Sequence, residues 1–263
     1  MLALVAATAV WCVAAHAQVA VDNKVTAVKS LSWSHTVNGS NLVLVVGVVI
    51  NSSGGVVSGM SWTPSGGTAV ALSCLTAVNG GGGGCGGSGS SHRAEIWGAV
   101  LGNYSSKAGT VAFTLSSGAA TTVVAGSASL TGASQSSPFG TAQSHGGLDS
   151  SVSLTFSGLS SSAAVVDTLS ISTDQQPSSL GSNQTSLWSG ETASSGGTYG
   201  QGSYMTGTNN GGTISQSWSG GTTHDAYVAV PVNPAPRLVR RGQVIVGQLE
   251  PMNSNDARGE VRD

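Results

Sequence analysis

Apolar and polar residues alternate with a period of two along most of this 263-residue chain. Leu31, Trp33, His35 and Val37 fall on one side of a strand, and serine or threonine occupies the positions between them. The same alternation returns in 111–115, 151–157, 165–171, 214–218 and 226–232. Such a period is typical of β-strands with one buried face. The pattern therefore predicts a succession of half-buried strands.

Turn residues such as Asn38-Gly39 and Gly220-Gly221 separate these runs, and no segment carries an apolar stripe at helical spacing. About ten strands spaced in this way predict an all-β fold, a two-sheet antiparallel β-sandwich resembling a jelly roll. Serine hydroxyls are expected on its outer faces. Residues 174–212 are rich in Ser, Gly, Asn and Gln, which predicts long surface loops with short strands near Leu187-Trp188 and Tyr204-Met205.

The charged residues are few and unevenly placed. Only 8% of the chain is charged and 39 residues are glycine, but the charges become dense after Pro236. This boundary predicts a β-sandwich domain over 18–236 and a charged C-terminal tail over 237–263. A net charge of −2 gives no reason to expect nucleic acid or an acidic membrane as a partner.

The N-terminus has the pattern of a signal peptide. An apolar run over 2–15 precedes Ala15-His16-Ala17, a small-x-small cleavage site, although no basic residue comes before Lys24. The alternative is a buried first strand or helix. No other apolar run reaches the roughly 18 residues of a membrane span. We therefore expect removal of 1–17, a secreted or cell-surface location, and no integral membrane segment in the mature chain.

Cysteine usage agrees with export. If Cys12 leaves with the signal peptide, Cys74 and Cys85 remain, and an even count in an exported chain predicts one disulfide. It would close the glycine-rich loop between them. The alternative is two unrelated thiols.

Two short motifs match catalytic patterns only formally. Residues 82–87 satisfy G-x-G-x-x-G, and 142–146 resemble a nucleophile elbow with alanine in place of the first glycine. Both motifs require a following helix in an α/β sheet, which the strand pattern does not provide. We expect no enzyme and no cofactor.

The remaining polar candidates are single residues. No metal site is predicted, because none of the histidines has metal-ligand spacing: His35, His92, His145 and His224. Asp167 points inward with Val165 and Leu169, and a buried carboxylate is costly unless it accepts hydrogen bonds or binds a cation. We expect a structural buried acid, with calcium ligation as the alternative.

Arg93, Glu95 and Trp97 alternate onto one strand face. They fit a carbohydrate-binding patch, in which the indole stacks on a sugar ring and the ion pair binds hydroxyls. They fit equally well a buried ion pair packed under a tryptophan. The sequence leaves both readings open.

One ordered set of motifs runs through segments 33–37, 95–97, 109–114, 138–141, 165–167 and 226–230. The order resembles a β-sandwich module that is widespread in exported bacterial, environmental and phage-associated proteins, mostly without assigned function. The resemblance spans Ser30 to Val232 and implies a sandwich, but no particular activity. Gly98 and the cysteine-flanked loop depart from the pattern.

The tail contains one candidate strand. Pro231, Pro234 and Pro236 form a stiff spacer, and residues 243–249 beyond it have strong β character. A lone strand needs an edge to pair with. It would either fold back on its own sandwich or pair with a neighbouring subunit. The residues of this possible inter-subunit strand are Val244, Ile245, Val246 and Leu249.

These observations predict a non-catalytic, exported structural or adhesive protein of the cell surface, the extracellular matrix or an extracellular fibre. Self-association or surface glycans are the expected partners. One alternative is a carbohydrate-binding module that uses exposed tryptophans, and another is a phage virion fibre or decoration domain.

Overall fold

The computed structural model describes residues 17–51, 55–79, 84–87, 92–172, 178–193 and 196–236. Within them the chain is almost entirely β, which confirms the predicted fold class. No helix in these ranges has the length and apolar character needed to cross a bilayer. The described strands are more numerous than predicted: β1 Ala20–Val28, β2 Ser32–Ile50, β3 Val57–Pro64, β4 Val70–Asn79, β5 Arg93–Leu115, β6 Val123–Thr131, β7 Gln143–Asp149, β8 Ser151–Thr155, β9 Ala164–Ser172, β10 Ser178–Leu180, β11 Thr185–Glu191, β12 Thr198–Thr206, β13 Thr213–Trp218 and β14 Thr223–Val232.

The strands form three antiparallel sheets. The first sheet has the order β1-β6-β2-β5-β3-β4, the second has the order β11-β12-β9-β14-β7, and the third has the order β10-β13-β8. The first and second sheets pack face to face as a sandwich. The third, smaller sheet covers the other face of the second and was not predicted.

A central core lies between the first and second sheets. Val43, Val45 and Val49 of β2 meet alternate residues of β14 there, such as Val228 and Val230, and all are at most 2% exposed. Every second residue of each strand points into this layer, as period-two alternation requires. Burial of this apolar area is the main force that joins the two sheets.

The opposite face of the first sheet carries a second, outer core. It takes the other residues of β2, such as Leu44 and Val46, together with residues of β3, β4 and β5. Trp62 of β3 lies over Gly109 of β5, where a Cβ atom would collide with the indole. Its Nε1–H donates to the carbonyl of His35 on β2, at 3.2 Å. A glycine at position 109 therefore lets one tryptophan bridge two strands that are not neighbours.

The central strands β9 and β14 of the second sheet are buried on both faces. Leu169 and Ile171 of β9 face residues of β8 and β13 in a small-sheet core, while Thr168 and Ser170 face the first sheet. The expectation that such hydroxyls lie on the water-facing side is wrong for these two residues, which are fully buried. The physical reason is that the third sheet covers the apolar face of β9. The hydroxyl face of β9 therefore packs against the first sheet instead of water.

The described residues of segment 174–212 contain more strand than predicted: β11 and β12 include the two expected short strands but are longer, and β10 is additional. Trp188 of β11 anchors this segment, because its indole fills a gap lined by Gly47, Gly126 and Gly202. A Cβ atom at any of these glycines would overlap the ring. The high serine and glycine content of this segment suggested loops. Part of that glycine is structural, because at Gly202 only a glycine leaves room for the Trp188 ring.

Candidate functional site

Cys74 and Cys85 form a disulfide, as predicted, with Cα atoms 6.0 Å apart. The bond ties β4 to the segment before β5, eleven residues further along the chain. A cross-link over a loop of this length contributes about 3 kcal/mol by limiting the unfolded chain. It fixes one end of the glycine-rich loop against the sheet.

Arg93, Glu95 and Trp97 lie in the interior, at 0%, 1% and 8% exposure. Glu95 accepts hydrogen bonds from Arg93 Nε (2.5 Å), from Trp97 Nε1 (2.7 Å) and from the Val57 amide (3.2 Å). Arg93 Nη2 donates to the Gly84 carbonyl at 2.9 Å, next to the disulfide. The interpretation of these residues as an exposed sugar-binding patch is therefore wrong, because the buried indole of Trp97 has no face free for a sugar ring. The buried ion pair instead joins β3, β5 and the disulfide loop.

The tryptophans do not form an exposed binding surface in the described part of the chain. Trp62, Trp97, Trp188 and Trp218 are at most 8% exposed, and Trp33 is half-buried with its Nε1–H donated to Ser127. Stacking on a sugar ring requires an accessible indole face. The arrangement thus removes the feature on which the carbohydrate-binding alternative depended.

His35 lies at the centre of a buried hydrogen-bond chain in the outer core. Its Nδ1 is 2.8 Å from the Ser127 hydroxyl and its Nε2 is 3.1 Å from the Ser129 hydroxyl. Ser129 donates to Asp22, so its oxygen accepts from His35 and places the imidazole proton on Nε2. Ser127 accepts from Trp33 and donates to Nδ1. Burial lowers the pKa of His35 to about 4, and the histidine is neutral near pH 7.

Asp167 is fully buried in the small-sheet core. One carboxylate oxygen accepts from the Ser203 amide (2.5 Å), and the other from Ser203 Oγ (2.9 Å), Gln216 Nε2 (3.1 Å) and Tyr227 OH (2.5 Å). Burial raises the pKa of Asp167, and these donors oppose the rise. The side chain is directed inward as the alternation predicted, and its contacts are those of a structural acceptor.

Another polar cluster reaches the surface. His145 and Asp149 of β7 and Asp225 of β14 place one nitrogen and two carboxylate oxygens within 4.8 Å of one another. His145 Nε2 lies 2.8 Å from Asp149 Oδ2 and 3.9 Å from Asp225 Oδ2. His145 and Asp149 are 44% and 42% exposed, whereas Asp225 is fully buried. We call these three residues the edge triad, because β7 is an edge strand of the second sheet.

The register of β7 with β14 builds the edge triad. His145, Gly147 and Asp149 occupy alternate positions of β7, so they share one face, and Asp225 pairs directly with Gly147. The absent side chain at Gly147 leaves the space into which the three groups converge. A Cβ atom there would lie 2.5 Å from Asp149 Oδ2 and 3.1 Å from His145 Nε2.

The sequence analysis missed this triad because its members lie on two strands that are far apart along the chain. The H-x-G-x-D pattern at 145–149 was the one visible signal, since it places two polar side chains on one strand face around a glycine. The third member becomes visible only with the strand register.

Asp225 is the electrostatically unusual member of the triad. No described donor reaches either of its carboxylate oxygens with hydrogen-bond geometry. Burial raises its pKa to about 6; nearby His145 and the backbone N–H of Asp149 oppose the rise, and the negative charge of Asp149 adds to it. An unpartnered buried carboxylate is costly, and the usual compensations are a proton or a cation.

Two predicted features lie outside the described residues. They are the signal peptide, apart from Ala17 at its end, and the tail with its candidate strand. Comparison of the chain with protein-family models, with curated proteins and with solved structures found no match. The resemblance to an exported β-sandwich module stays a prediction, and the function is inferred from the residues and their geometry.

Proposed function

We propose that this chain is an exported, non-catalytic structural or adhesive protein that works by contact between uncharged polar surfaces, at a cell surface, in a matrix or in an extracellular fibre. The observation that carries the proposal is the small number of exposed charges on the described part of the chain, residues 17–236 with their gaps. The charged side chains with any exposure among the described residues are Asp22, Lys24, Lys29, Lys107, Asp149 and Glu191.

Among the described residues, folding makes the surface even less charged than their composition suggests. Arg93, Glu95, Asp167 and Asp225 are buried, and the exposed charges are half basic and half acidic. Net charge is what normally keeps soluble proteins apart. A surface of serine, threonine and glycine without such repulsion favours close approach of further copies of the chain.

The Cys74–Cys85 disulfide supports the extracellular part of the proposal, because disulfides persist mainly in oxidising compartments. This part is tested by expressing the chain with its own N-terminus in a host that exports proteins. N-terminal sequencing of the secreted product is expected to begin at Gln18. A product that stays inside the cell with residues 1–17 attached would contradict export.

The assembly part is tested by light scattering and negative-stain microscopy of the mature chain over a range of concentrations. Association is expected, and it should change little between about 0.1 M and about 1 M sodium chloride, where the Debye length falls from about 10 Å to about 3 Å. Glu191→Gln, which removes one exposed charge, should leave association unchanged. A chain that stays monomeric at every concentration would contradict assembly.

A further inference from the structure

We propose that the edge triad of His145, Asp149 and Asp225 is a binding site for a divalent transition-metal ion, with Zn²⁺ as the best match. One imidazole nitrogen and two carboxylate oxygens are ligands that Zn²⁺ accepts in proteins. Two carboxylates balance the charge of the ion when the imidazole is neutral. Ca²⁺ prefers an all-oxygen shell, so the histidine favours the transition metal.

The buried member of the triad points to a ligand independently of the cluster itself. Asp225 is fully buried, and no described donor makes a hydrogen bond of good geometry to its oxygens, one of which lies 3.9 Å from His145 Nε2. A carboxylate in this position lacks the hydrogen bonds that Asp167 receives. An ion bound between Asp225 and His145 would supply the missing positive partner.

The distances suit an ion after small movements. Ligand atoms about 2.0–2.2 Å from Zn²⁺ lie roughly 3–3.6 Å from one another. In the structure, His145 Nε2 lies 2.8 Å from the Asp149 carboxylate oxygen and 3.9 Å from the Asp225 carboxylate oxygen. His145 and Asp149 are nearly half exposed, so their side chains are free to adjust by a few tenths of an ångström. Gly147 keeps the space between them open.

The site would have protein ligands on one side and solvent on the other. Because the exposed members lie on the edge strand, the remaining coordination positions face outward, where water fills them. The ion would also link β7 to β14 through their side chains, in addition to the backbone hydrogen bonds between them. Ion binding should therefore raise the thermal stability of the full chain.

The test measures the melting temperature of the EDTA-treated, dialysed protein with Zn²⁺, Mn²⁺ or Ca²⁺, and the affinity for Zn²⁺ by titration calorimetry. Zn²⁺ at about a hundred times its dissociation constant should raise Tm by about 5–10 °C. The rise should be lost in His145→Ala, in Asp225→Asn and in Gly147→Ala, which fills the space without removing a ligand. His224→Ala is the matched control. His224 is an exposed histidine next to Asp225 on β14, and its side chain is directed away from the triad.

The outcomes separate the site from non-specific binding. The proposal is supported if His224→Ala keeps the Tm rise while the two triad variants, His145→Ala and Asp225→Asn, and the adjoining Gly147→Ala all lose it. Far-ultraviolet circular dichroism of the ion-free variants checks that each has folded, and Co²⁺ absorption spectra give a second readout of the ligand set. No Tm rise in the parent, a rise with Ca²⁺ alone, or an equal rise in folded Asp225→Asn would overturn the proposal.

Discussion

At Asp167, one buried carboxylate connects strands of two sheets. It lies on β9 and accepts hydrogen bonds from β12 and β14 of the second sheet and from β13 of the third. All of its partners are donors, so an ionised carboxylate satisfies each of them.

Asp167→Asn should lower the free energy of unfolding by about 2 kcal/mol, because an amide nitrogen would replace an oxygen that accepts three of these bonds. Urea unfolding near pH 7 measures the change, and a double-mutant cycle with Tyr227→Phe isolates that single contact. Glu191→Gln, at an exposed position, is the control and should change stability by less than about 0.5 kcal/mol. An unchanged midpoint in Asp167→Asn, together with a Ca²⁺-dependent midpoint in the parent, would support calcium ligation instead.

His35 should make stability depend on pH in a defined window. The pKa of His35 is about 4 in the folded chain, against the ordinary value of 6.5 that applies to the unfolded chain. As the pH falls from 6.5 to 4, the unfolded chain therefore protonates this histidine while the folded chain does not. The stability that His35 contributes is fully present above about pH 6.5. It is lost as the pH falls toward about 4, and the loss amounts to at most about 3 kcal/mol. The raised pKa values of Asp167 and Asp225 act in the opposite direction, since they lower stability as the pH rises.

The contribution of His35 is therefore measured as a difference. Unfolding free energies of the parent and of His35→Gln, taken from pH 4 to pH 7, should diverge as the pH rises, because only the parent gains the histidine contribution. His224→Gln, at an exposed histidine, should run parallel to the parent. Parallel curves for the parent and His35→Gln would contradict the assignment.

Among the structural elements, β11 depends on glycines in other strands. Its Trp188 occupies the gap at Gly126, so Gly126→Ala should cost about 2–3 kcal/mol by overpacking the central core. Gly59→Ala is the matched control, because a Cβ atom there meets only an ordinary contact of 3.8 Å with Thr114 Oγ1. Thermal unfolding compares the two, and equal losses would show that steric overlap with Trp188 is not the cause.

The elements that the sequence predicts well are those whose two faces differ. β8 and β13 alternate clearly because each has one buried face, and both were identified. β12 was predicted only near Tyr204-Met205, since Gly200 and Gly202 carry no apolar signal and are needed to admit neighbouring side chains. β9 was identified but its burial on both faces was not, because the covering sheet is a tertiary feature.

Polar sites, too, are predictable only as far as a single strand shows them. Asp167 was predicted to be buried because the alternation within its own strand shows that its side chain points inward. The edge triad depends on Gly147 pairing with Asp225, a register between segments far apart in the chain. Spacing along one strand could not place the third residue.

On the scale of the whole molecule, we propose that the candidate strand of the tail, residues 243–249, joins copies of the chain by pairing with the edge of a neighbour. Removal of residues 237–263 by a stop after Pro236 should abolish or strongly weaken association, because the candidate strand could no longer pair with a neighbour's edge. Light scattering of the truncated and full-length chains measures this. A full-length variant with Val244→Lys and Val246→Lys, which keeps the tail but disfavours strand pairing, should behave like the truncation. Equal association of all forms would show that the tail is not the connector.

The position of β14 has a consequence for the order in which the molecule forms. β14 is the last described strand in the chain, yet it lies inside the second sheet and alone connects β7 to β9. Until residues 223–232 leave the ribosome, β7 has no partner in its sheet and β9 has one open side. The second sheet therefore closes only after synthesis of the domain is nearly complete. The first sheet has all of its strands within residues 20–131, so the two sheets of the sandwich are completed at different stages of synthesis.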